Sequence, residues 1–167
     1  MRYQRRILFC WLLLLVGCGT REPVQWKEWR DQFVLTDRPA GALTITEAVA
    51  SPMDEEIVVI AKIGGGRGDT FDNSTASFLV SEAPDEAHQG KPGHDPDGCP
   101  FCKQKLANAP TVTVGFTSKQ GTAIPVDARK LFGLNKGDIV IIRGSGSYEE
   151  SLRMLNINAS GIHVVGR

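Results

Sequence analysis

Two imidazoles and two thiols fall between residues 88 and 102, in the spacing His88-x5-His94-x4-Cys99-x2-Cys102. A Cys-x2-Cys turn places both sulfurs on one side of a tight knuckle, because the intervening backbone wraps a cation with its N–H groups facing the thiolates. With His94 and His88 the set reaches four donors, the number that closes a tetrahedral structural zinc site. Thiolate ligands equally suit copper. His94 stands four residues from the knuckle and is the stronger imidazole candidate; a Glu or a water could replace His88. Asp95 and Asp97 could accept the second ring N–H of a ligating histidine. The same cysteines could instead form a Cys99–Cys102 disulfide, structural or redox-active, with Cys99 as nucleophile and Cys102 as resolving thiol. Haem attachment would need a histidine where Lys103 stands. The plainest alternative is an exposed loop with incidental His and Cys.

All four residues lie in Ser81–Pro110, a thirty-residue stretch with almost no apolar periodicity. Connections longer than about 12–15 residues without secondary structure tend to be functional or disordered. A thiolate-bound metal could order such a segment, contributing on the order of 10 kcal/mol where hydrophobic burial is missing. The knuckle Cys99-Pro100-Phe101-Cys102 resembles the CPxC turn of zinc ribbons, with Lys103 in place of their usual glycine.

The flanking elements must hold this insertion. Ile57–Ile63 and Ala76–Val80 read as strands before it, and Thr111–Phe116 and Ile139–Arg143 as strands after it. Leu152–Ile157 and Ile162–Val165 follow, divided by a turn at Asn158–Gly161, with a bulge near Met154. Thr44 with Glu47 three residues on predicts a capped short helix. Asp127 as N-cap and Gly133 as stop bound another, whose Leu131 and Phe132, with Leu134 just beyond, should plug one end of a barrel. Trp26, Trp29 and Phe33 share a helical face within Arg21–Gly41. Phe71, Phe78, Phe116 and Tyr148 are expected in the core rather than as a base-stacking surface, and His163 at the rim. Asn73-Ser74-Thr75 matches a glycosylation sequon and nothing more.

Five short strands with a helix between the third and fourth is the element order of an OB-fold barrel. The stretch IPVDARKLFGLNKGDIVIIRGSG resembles the helix-to-fourth-strand segment of OB domains, and TITEAVASPMDEEIVVIAKIGG is similar to the entry to their first strand. The resemblance implies a mainly β, five-to-six-stranded, OB-fold-like Greek-key barrel over residues 42–167, with residues 81–110 as a long inserted loop. A small β-sandwich is the alternative.

At the N-terminus, Arg2, Arg5 and Arg6 precede Ile7–Val16, ten apolar residues. That run is too short to span a bilayer and has the size of a signal-peptide hydrophobic region. It leads into Leu15-Val16-Gly17-Cys18, which resembles the lipobox of bacterial lipoproteins. The resemblance implies a signal peptide over residues 1–17, lipidation of the Cys18 thiol, and a tether over residues 18–41 carrying a short helix. The protein would sit in the bacterial cell envelope, lipid-anchored to a membrane and facing the periplasm or the exterior. Gly19, where inner-membrane members carry aspartate, favours the outer membrane.

The 167 residues carry 19 Lys+Arg and 19 Asp+Glu, so the chain lacks the basic excess of a general nucleic-acid binder. Without residues 1–17 the balance becomes 16 basic against 19 acidic. Charge is also segregated, with eleven acidic and three basic residues in Thr44–Gly98 and seven basic and two acidic in Pro100–Arg143. Such a dipolar pattern suits oriented contacts. No Ser/His/Asp arrangement or phosphate-binding glycine loop followed by a helix is present. The expectation is a non-enzymatic binding module for a protein or small-molecule partner.

Overall fold

The β-branched runs become five strands: β1 (Glu56–Ile63), β2 (Ser77–Glu82), β3 (Thr111–Gly115), β4 (Ile139–Glu149) and β5 (Met154–Val164). The computed structural model describes residues 23–51, 56–65, 68–84, 104 and 110–166. The strands hydrogen-bond in the order β1-β2-β3-β5-β4, and β4 pairs back onto β1, so one mixed sheet closes in a ring. Every pairing is antiparallel except β3 with β5, which run parallel. Closure removes the unpaired strand edges that would otherwise invite association.

The two-residue side-chain period decides what faces inward. Val59, Ala61 and Ile63 of β1 are buried, as are Phe78 and Val80 of β2, Val112 and Val114 of β3, and Leu155 and Ile157 of β5. Among the described residues three short helices pack on this ring: α1 (Val24–Phe33), α2 (Ile45–Ala50) and α3 (Ala128–Phe132). The Asp127 carboxylate accepts from the Arg129 backbone N–H at 2.8 Å to start α3. Gly133 ends it in the left-handed conformation, φ 69°, which a glycine adopts without steric cost. Leu131, Phe132 and Leu134 are buried, and the Phe132 ring lies 4.7 Å from that of Phe116.

From Val24 onward, the segment expected to be a tether is packed against the ring. Trp29 and Phe33 are buried, and Phe33 meets Phe116 edge-on at 5.1 Å. The chain then runs beside β5, where the Leu35 N–H donates to the Ile162 carbonyl at 2.8 Å. His163 Nδ1–H donates to the Leu35 carbonyl at 3.1 Å, which accounts for a half-buried rim histidine. Helix α2 carries the expected capping box between Thr44 and Glu47.

The C-terminal region departs from expectation. No turn separates two strands at Asn158–Gly161; Asn158, Ala159 and Gly161 pair with β4, so β5 runs through and the ring has five strands, within the expected five to six. The bulge sits at Ser160, the extra residue between the pairs Gly144–Ala159 and Arg143–Gly161, and not near Met154. A glycine is required opposite it, since a Cβ at Gly144 would lie 2.3 Å from the Asn158 carbonyl oxygen. Leu152, expected in a strand, lies in the 3-10 turn Glu150–Leu152 and is 66% exposed. The sheet is a single closed layer, not two stacked layers. Among the described residues no helix is long and apolar enough to cross a membrane.

Candidate functional site

Strands β2 and β3 form an antiparallel pair running from Ser77–Gly115 to Val80–Val112. Ser81 and Glu82 still belong to β2, so residues 83–110 form the hairpin connection between two neighbouring strands. Glu82 anchors the root of that connection to α2: its carboxylate accepts from the backbone N–H groups of Ile45 at 3.2 Å and Thr46 at 3.1 Å. A carboxylate at the start of a helix satisfies donors that the helix itself leaves unpaired. His88, His94, Cys99 and Cys102 lie outside the described residues, as does Cys18. Among the described residues no group of three or more His, Cys, Asp or Glu side chains could hold a metal ion.

The outer face of β2 and β3 carries a shallow groove of about 440 Å³ that extends from the start of β2 at Ser77 to the pair Leu79–Thr113. Its floor includes Leu79 and Thr113, a cross-strand pair adjacent to Val80–Val112. Its wall is the end of the β1–β2 connection, Asp69–Ser74, with Ser77 at the strand's start. The wall is bonded to β2: the Leu79 N–H donates to the Thr70 carbonyl at 2.8 Å, and the Asp72 N–H to the Ser77 carbonyl at 3.0 Å. Phe71 folds inward against Phe78 with ring centroids 6.0 Å apart.

Two further devices fix the wall. The Asp72 carboxylate accepts from the Ser74 N–H and hydroxyl, both at 2.7 Å, and from the Thr75 hydroxyl at 2.8 Å. These bonds, the Ser74 hydroxyl's first, hold its pKa at about 2, so the groove keeps this negative charge across ordinary pH. Arg129 reaches across from α3. It forks onto the buried Asp127 carboxylate, donates to Asn73 Oδ1 at 2.6 Å, and stacks its guanidinium 5.2 Å above the Phe71 ring. The Arg129 side-chain bond in turn keeps the Asp127 carboxyl below its usual value.

Asp69 and Asp72 thus line the groove with the hydroxyls of Thr70, Ser74, Ser77 and Thr113 around the apolar Leu79. That mixture suits a neutral or cationic polar group with one apolar side, and repels phosphates. Sequence reasoning missed this face, reading Asn73-Ser74-Thr75 only as a sequon. The local signal was Asp72 followed by Ser74 and Thr75, a pattern in which an aspartate side chain bonds the backbone two residues on. The chain matches no protein-family model, and no curated protein matches it.

Proposed function

We propose that the protein is a lipid-anchored, extracytoplasmic binding module of the OB-fold type, whose outer β2–β3 face and inserted loop together hold a partner. The observation that carries this reading is the position of the groove. Its floor pair Leu79–Thr113 is one register step from Val80–Val112, on the same two strands that send out residues 83–110. The OB-type reading is supported by the strand order β1-β2-β3-β5-β4, the parallel β3–β5 pairing and the position of α3 between β3 and β4. OB domains use this face and the neighbouring loops for ligands. The anchor rests on the sequence alone: the arginines before Ile7–Val16 and the run Leu15-Val16-Gly17-Cys18.

In this reading Cys99, Cys102, His94 and His88 bind one zinc ion, or copper in its place, and so order the loop beside the groove. A bound cation would supply cross-links that a loop poor in apolar residues cannot obtain by burial. The test is elemental analysis of the purified protein together with thiol counting. One equivalent of zinc or copper, lost in the Cys99→Ser Cys102→Ser double variant, supports the proposal. A metal-free protein whose two cysteines react with thiol reagents only after reduction replaces it with a disulfide-stabilised or redox lipoprotein.

A further inference from the structure

We infer that the α1 end of the body is the face turned to the bilayer, with Val24 and Trp26 at the lipid headgroups. The inference rests on the acylation of Cys18 proposed above. Only Gly19–Pro23 stand between that cysteine and Val24. At full extension, about 3.5 Å per residue, they hold the start of α1 within about 20 Å of the anchored thiol. A body of this chain length is roughly 37 Å across, from a radius of gyration near 14 Å. The opposite pole therefore cannot be brought to the membrane unless α1 swings free.

Helix α1 is not a free arm. Trp29 and Phe33 are buried, Phe33 packs edge-on against Phe116 and Phe132, and Leu35 is hydrogen-bonded to Ile162 and His163. Its orientation on the ring is fixed, so a short link at its start fixes the orientation of the whole body. The residues at that point suit a lipid interface. Val24 is 76% exposed, although a single exposed valine alone would mean little. Trp26 is half-buried against the core, and tryptophan favours the water–lipid boundary. Helix α1 carries Lys27 and Arg30 against Glu28 and Asp31, with Lys27 and Asp31 paired at 2.6 Å, so it has no net charge to select anionic lipid. The partner is accordingly a lipid surface in general rather than one headgroup.

Cleavage before Cys18 would leave Trp26 and Trp29 as the only tryptophans, both on α1. The test uses the full acylated protein in vesicles of phosphatidylethanolamine and phosphatidylglycerol, with and without a headgroup-level nitroxide lipid. Quenching of up to about half the tryptophan emission is expected, since Trp26 is accessible and Trp29 is buried. Insertion of about twenty Gly/Ser residues after Thr20 should release most of it. Quenching that persists in this variant overturns the short link as what sets the orientation. Acylated, vesicle-bound protein with unchanged emission overturns the orientation and leaves the anchor standing. A chain without acyl mass that stays off the vesicles overturns the anchor, and the orientation with it.

Discussion

Truncating Phe33 to alanine removes the ring by which α1 is docked. Phe33 is 3% exposed, meets Phe116 edge-on at 5.1 Å and Phe132 at 6.5 Å, and belongs to the same aromatic cluster that closes the ring beneath α3. Phe→Ala changes at such sites cost about 3–5 kcal/mol, because the lost transfer energy adds to that of the cavity left behind. For a domain of this size that corresponds to a fall of about 10–16 °C in melting temperature. The assay is urea unfolding followed by tryptophan emission and by far-UV circular dichroism. The tryptophans of α1 report its undocking, and the dichroism reports the sheet. The two midpoints should coincide in the parent and move down together in the variant, as they do for one cooperative unit. A loss below about 1 kcal/mol would refute the docking. So would an early tryptophan transition with the sheet's midpoint unmoved.

Leu131→Asp should abolish cooperative thermal unfolding, because it places a charge without a partner at a site 1% exposed; an unchanged melting curve would remove α3 from the core. Gly144→Ala should lower the urea midpoint more than Gly161→Ala. The first Cβ meets the Asn158 backbone at 2.3 Å, the second only the movable side chain of Leu35 at 2.8 Å. Equal or reversed effects would contradict the bulge geometry. The carboxyls of Asp72 and Asp127 sit below their ordinary values in the fold, so their stabilisation is complete above about pH 4 and is lost as pH falls through the folded values. Melting temperature should therefore drop between pH 4 and about 2, the value for Asp72. Asp127→Asn should flatten that dependence; an identical pH profile in the variant would count against the Arg129 clasp.

Much of the frame was legible because it rests on local rules. The run Ile57–Ile63 and the alternation at Thr111–Phe116 mark β1 and β3, and Thr44, Asp127 and Gly133 mark helix ends through single side-chain or backbone requirements. The failures come from tertiary pairing overriding local preference. Gly144–Glu149 and Asn158–Gly161 carry turn residues, yet they pair with each other's strands across a bulge whose glycines permit close approach. The amphipathic face of Trp26, Trp29 and Phe33 was visible, but its docking partner, Phe116, is over eighty residues away. The groove was hidden for the same reason. It needs Asn73 held by Arg129 and the outward residues Leu79 and Thr113 of two strands, and no window of the sequence contains them together. The Cys/His spacing is visible because it is local, within residues 88–102, and those residues lie outside the described structure.

The most direct test of the proposed metal site is X-ray absorption at the metal edge on the full-length purified protein. For zinc, two sulfur neighbours at about 2.3 Å and two nitrogen neighbours at about 2.0–2.1 Å are expected, from Cys99 and Cys102 and from His94 and His88. A protein without bound metal, or a first shell of oxygen alone, would contradict the account.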